Sequence, residues 1–198
     1  MPPLRALSTC YIRVVTTGQT LITAEQFLEM PEPRDGGKME LVRGEVVCMS
    51  PVGAFHSAVA RRIGAWLGLF ADANRLGAVG VEGGFRLAVN PDTVLGPDVH
   101  FTAQLPIAHP QFIEGPPTLA VEVVSPNDRD SEVQGKVDAY LAAGSARVWV
   151  ARPEQRTVTV FRADGTVRVA RAGDVLTSDD AAFAVDGFEL AVGDIFAS

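Results

Sequence analysis

Two acidic residues stand where acids are costly. Glu122 lies inside Leu119-Ala-Val-Glu-Val-Val124, a run that is otherwise apolar, and an ionised carboxylate in such surroundings needs a cation or hydrogen bonds to offset its desolvation. Asp98 follows Pro97 and opens a second apolar run, Asp98-Val-His-Phe. Taken singly, each reads best as a partly wet residue at a strand end. On neighbouring strands, however, two such acids can place their oxygens in the coordination sphere of one cation. Hard oxygen ligands, with water completing the shell, suit magnesium or manganese. Such a site could activate a water and offset charge on a phosphate, which is the chemistry of phosphodiester hydrolysis.

Lysine is scarce. Lys38 and Lys136 are the only two among 17 basic residues, so each asks for an explanation. The two cysteines, Cys10 and Cys48, are too few for a disulfide framework or a four-thiolate zinc site. Neither is spaced to pair with His56, His100 or His109 as a nucleophile. A net charge of −7 weighs against coating nucleic acid through bulk charge, though it leaves room for a local basic groove. No run reaches the roughly 20 apolar residues of a membrane span. No secretory signal is evident either, and the expected location is cytoplasmic by default.

The elements that must hold these residues follow from periodicity. Residues 1–22 read as an extension, with 11–15 an edge strand or disordered, and 23–198 as a single domain. Thr23 and Gln26 suit a capping box for a helix over 24–30. Arg43-Gly44 joins two strands in a hairpin, 39–42 and 45–49. A long helix spans 54–74, with Phe55, Val59, Ile63, Trp66, Leu67 and Phe70 as its apolar stripe. Strands follow at 79–82, 85–89, 98–102 and 119–124, the last buried on both faces. A helix over 130–143 ends at Gly144, and further strands lie at 147–151, 157–162 and 166–170. The tail from Ser178 is expected to cover a sheet edge. The order implies an α/β domain, a mixed central sheet flanked by helices.

The ordered set Met39-Glu-Leu-Val-Arg-Gly-Glu45, His56, Pro97-Asp98-Val, Leu119-Ala-Val-Glu-Val-Val-Ser-Pro126, Lys136-Val-Asp-Ala-Tyr140 and Gly144-Ser-Ala-Arg-Val-Trp149 resembles the Uma-two family of restriction-type endonucleases, within the PD-(D/E)XK superfamily. The resemblance implies a restriction-endonuclease-like fold and metal-dependent cleavage of DNA, with Asp98 and Glu122 as ligands to magnesium or manganese. One position departs from the superfamily pattern. Where a lysine usually stands two residues after the second acid, this chain has Val124. The resemblance extends to branches in which that lysine has moved to the following helix, and Lys136 is the candidate. It sits beside the apolar face formed by Val133, Val137, Tyr140 and Leu141, so its long stem can reach the carboxylates.

Other residues carry two readings. Glu45 is as consistent with completing the site as with the edge of a hairpin, whereas Glu40 reads as a hairpin residue. His56 could contact phosphate or water, but a lone histidine on a half-buried face is more often structural. Tyr140 reads as a core aromatic with its hydroxyl at the rim, and His100 shares a strand face with Asp98. Gly83-Gly84 suits a turn or bulge. The arginines at 147, 152, 156, 162, 168 and 171 read as a scattered solvated set, or as a phosphate-binding surface if aligned. The expected activity is a magnesium-dependent endodeoxyribonuclease acting on DNA, with a homodimer suited to two cuts on a duplex. The alternative is a catalytically degenerate nuclease fold that binds nucleic acid or a protein.

Overall fold

The computed structural model describes residues 12–13, 21–34, 36–103, 112–126 and 128–197. Cys10, His109 and most of the stretch 11–15 lie outside the described residues. The chain runs β1 (Ile12–Arg13), α1 (Ala24–Leu28), β2 (Lys38–Val42), β3 (Glu45–Met49), α2 (Ala54–Asn74), β4 (Ala78–Gly80), β5 (Phe85–Ala88) and β6 (Thr93–Leu95). It continues with β7 (Val99–Thr102), β8 (Ile113–Glu114), β9 (Leu119–Val123), α3 (Asp130–Ala143), β10 (Arg147–Arg152), β11 (Thr157–Arg162) and β12 (Val167–Arg171). A small C-terminal unit closes it: β13 (Val175–Thr177), α4 (Ser178–Ala181), β14 (Glu189–Ala191) and α5 (Val192–Ile195). No helix among the described residues is long and apolar enough to cross a membrane.

The strands form two six-stranded sheets, ordered β12-β11-β10-β9-β7-β4 and β1-β3-β2-β6-β5-β8, and β13 pairs with β14. In the first sheet β9 lies parallel to β10 and antiparallel to β7, so it is central, and all five of its residues are buried. Its side chains alternate between two cores, as the two-residue period of a strand requires. Leu119, Val121 and Val123 face α2. Ala120 faces α3 and Leu95, and Glu122 points the same way.

Local chemistry sets the boundaries. The capping box at α1 forms in both directions, with Gln26 N donating to Thr23 Oγ1 and Thr23 N to Gln26 Oε1. Arg43 and Gly44 both take positive φ, 53° and 78°, the two-residue turn whose twist matches a hairpin. The buried stripe of α2 is Val59, Ile63, Leu67 and Ala71. Phe55 and Trp66 are not on it: they lie roughly 80–100° round the helix from its centre and are half exposed. β6 was not foreseen. It is three residues long, between Pro91-Asp92 and Gly96-Pro97, and pairs with both β2 and β5.

The tail is not confined to the sheet edge, where α5 meets β12. Phe183, Phe188, Leu190, Val192, Ile195 and Phe196 pack into the same core as α2 and the odd residues of β9. Nor are the C-terminal arginines scattered or aligned for phosphate. Arg147 and Arg162 pair with Asp179 at 2.8 and 3.1 Å, and Arg162 reaches Asp180 at 2.6 Å. Arg168 also binds Asp180, while Arg152 pairs with Asp130 and Arg156 donates to the Phe196 carbonyl. Glycine at 80 and 83 makes room for the His100 ring, since a Cβ there would lie 2.5 and 2.9 Å from its Nε2. That ring packs edge-on against Phe85, and burial lowers its pKa to about 4, so His100 is a neutral core residue near pH 7.

Asp180 is 1% exposed and also accepts from Thr177 N at 3.0 Å. Asp180→Ala should cost about 2–3 kcal/mol in urea unfolding, below the ~3–5 of a fully buried pair because Arg168 is partly solvated.

Candidate active site

Three elements from both sheets and a helix meet at one point. β2 presents Lys38 and Glu40 on one face, β9 presents Glu122, and α3 presents Lys136 and Tyr140 one turn apart. Lys136 Nζ donates to Glu40 and Glu122 at 3.0 and 3.1 Å. Tyr140 donates its hydroxyl to the other oxygen of Glu122 at 3.2 Å, and Gly96 N donates to Glu40 Oε1 at 3.2 Å. Lys38 binds the Gly96 carbonyl and lies 3.7 Å from Glu40. Both lysines of the chain therefore end in one cluster.

Asp98 joins from β7. The register Val99↔Val121 and His100↔Ala120, carried one residue further, sets Asp98 across from Glu122. Its Oδ2 accepts from Val123 N at 2.7 Å and lies 3.2 Å from His56 Nε2, near the start of α2.

The charges explain the titration directions. Burial raises the Glu122 pKa to about 7; Lys136 opposes the rise, and the Asp98 and Glu40 charges add to it. Burial opposes ionisation of Lys136, but Glu122, Glu40 and Asp98 outweigh it and hold the ammonium charged. Burial also pushes Asp98 up, yet the hydrogen bond and charge of His56, Lys38 and the Val123 N–H bring it below its ordinary value. His56 is raised for the reciprocal reason: burial lowers it, and Asp98 more than restores it.

Whether this set suits a divalent cation is a question of donors. Among the described residues, no three His, Cys, Asp or Glu side chains form a ready cage. The arrangement instead offers two carboxylates on adjacent strands, Asp98 and Glu122. That is the number magnesium usually takes from protein when waters and phosphate oxygens complete its shell. The donor set fits such an ion.

The Uma2 family model, described as "Putative restriction endonuclease", matches residues 24–193. The chain belongs to the Uma2 family. A solved structure from Anabaena variabilis, described as "a putative nuclease belonging to DUF820", superposes with a TM-score of 0.74 at 21% identity, covering 88% of this chain and 97% of that one. The mixed α/β architecture of this Uma2 chain is thus a nuclease-like fold. A comparison with curated proteins gives no match.

Within this Uma2 fold, Asp98, Glu122, Lys136 and His56 come together. Glu45 opens β3 opposite Val42, on the same face as Glu40 but at the turn end of the hairpin. Glu40, which reads from sequence as a hairpin residue, is 1% exposed and binds Lys136. Lys38 is the other member that its position did not reveal. The scarcity of lysine was the available signal for it.

Removing the ammonium strands two buried carboxylates. Lys136→Met should lose about 3–5 kcal/mol near pH 8 and less near pH 5. The sign follows from Glu122: a carboxyl whose folded pKa is raised from 4.5 to about 7 costs no stability below pH 4.5, and its cost grows as pH rises through 7. Without Lys136 that rise is larger. Urea midpoints for both proteins at pH 5 and 8 test this.

Proposed function

We propose that this chain is a metal-dependent endonuclease that hydrolyses DNA phosphodiester bonds, with Asp98 and Glu122 holding a magnesium or manganese ion. The observation that carries the reading is the Lys136 ammonium, fixed by Glu40 and Glu122 beside two opposed carboxylates. On this reading it takes the role of the strand lysine that Val124 replaces.

The ion, when bound, would polarise the phosphate and lower the pKa of water. The protein supplies the rest. Tyr140 fixes one oxygen of Glu122, leaving the carboxylate a single orientation. His56 and Val123 N do the same for Asp98. Lys136 carries three donor hydrogens. Two can stay on Glu40 and Glu122 while the third points at the attacking water or a non-bridging phosphate oxygen. There it orients the water and stabilises negative charge as the new P–O bond forms and the old one breaks. Glu40 is a positioning residue, since it acts through Lys136.

Val124 packs beside the α3-facing core and the net charge is −7. Both features also favour a second reading, a binding module that has lost catalysis. The two separate in a cleavage assay on supercoiled and single-stranded DNA with magnesium or manganese. Wild type should cut, and Asp98→Asn and Glu122→Gln should each reduce cutting by about 10²-fold or more while circular dichroism stays native. Absence of cutting by the wild type on every substrate would leave the binding module.

Ion titration gives a second check. Both variants should bind manganese more weakly. In metal-free buffer, Glu122→Gln should gain stability relative to wild type as pH rises from 4.5 through 7, because it removes the carboxylate whose burial opposes ionisation.

A further inference from the structure

A groove of about 620 Å³ runs between α2 and β4, and His56 and Asp98 form part of its wall. It is therefore continuous with the candidate active site. The rest of its lining is mostly apolar and small, with Val52, Ala60, Ala65 and Val79 prominent. Five polar residues break the apolar surface: His56, Ser57, Arg61, Glu82 and Asp98. The His56 ring is nine-tenths buried, and its Nδ1 has no hydrogen-bond partner. An apolar recess with a few placed polar groups is the pattern of a small-molecule subsite, and the volume lies in the range that encloses one drug-sized molecule.

The electrostatics argue against a paired duplex lying along this groove. A protein that grips duplex DNA neutralises several phosphates at once. Here Arg61 is the only lysine or arginine among the described residues of the lining, against Glu82 and Asp98. Of the arginines further along the chain, Arg147, Arg162 and Arg168 are committed to Asp179 and Asp180. The carboxylates are also recessed: Asp98 and Glu122 expose 12% and 9% of their side chains. A phosphate must enter to meet them, and a nucleotide released from the stack can carry it in.

We infer that the α2–β4 groove is a subsite for an unpaired nucleobase adjoining the scissile phosphate, so that the enzyme cuts DNA beside an extruded or single-stranded nucleotide. The inference rests on the nuclease reading above and adds a substrate class to it. The base lies against the apolar wall, Arg61 meets the flanking phosphate, and the exposed Ser57 hydroxyl offers a hydrogen bond to the base edge.

The test uses three oligonucleotides of one sequence: fully paired, with one unpaired adenosine, and with that position abasic. The bulged substrate should be cut about tenfold faster than the paired one, the low end of what contacts to one base supply. The abasic substrate should fall back to the paired rate. Ala65→Trp, at an exposed position on the groove wall, should fill the recess and remove the preference for the bulged substrate. Equal rates on paired and bulged DNA, or a preference that survives Ala65→Trp, would overturn the subsite and leave the nuclease standing. If wild type cuts nothing, the nuclease reading fails, and 2-aminopurine at the bulge decides the subsite in metal-free buffer. A change in its emission on binding wild type, absent with Ala65→Trp, supports the groove; no change overturns it.

Discussion

An ammonium enclosed by carboxylates away from water is a demanding arrangement. Coulomb attraction offsets desolvation only when each charge is met at hydrogen-bond distance. Lys136 meets this requirement with one acid from each of two sheets, so β2, β9 and α3 must all stay within hydrogen-bond reach of one ammonium. The surrounding apolar packing serves that end. Val133, Val137 and Tyr140 seat α3 on Ala120, Val148 and Val150, and Leu95 from β6 closes the side toward β2. A shift of one helical turn in α3, or of one residue in β9, would carry a charge into the core.

The same constraint explains why so many backbone groups point at this place. Gly96 offers its N–H to Glu40 and its carbonyl to Lys38, and Val123 offers its N–H to Asp98. With Glu40, Glu122 and Asp98 facing Lys38 and Lys136, the cluster carries one net negative charge when all five are ionised. His56 stands beside Asp98 as the group whose protonation balances it. An environment that leaves a small negative excess is one that accepts a cation.

Much of this was legible in the sequence, for reasons that differ by residue. Glu122 stood out because an acid interrupts an otherwise apolar run, and Lys136 because lysine is rare and helical spacing places it one turn from Tyr140. The hairpin, both long helices and the central strand followed from turn chemistry and periodicity. Glu40 was hidden by its own neighbourhood. Alternation with Met39 and Leu41 looks like any half-exposed hairpin strand, and only the meeting of two sheets buries it. The pairing of Arg147, Arg162 and Arg168 with Asp179 and Asp180 was hidden likewise, because sequence distance says nothing about which charges converge. Three-residue β6 falls below the length at which alternation can be read. The tail's place in the core carries no sequence signal, because its aromatics are spaced by loops rather than by a regular period.

That tail has a consequence for how the protein comes into being. Val59, Ile63, Leu67 and Phe70 on α2 are completed by Phe183, Phe188, Leu190 and Ile195, more than a hundred residues later in the chain. Chains emerge from the ribosome N-terminus first, at roughly 5–20 residues per second. For several seconds, then, the part of the α2 surface that β4, β7 and β9 do not cover lacks its native partners. Truncation after β12 would leave that part of the core open permanently.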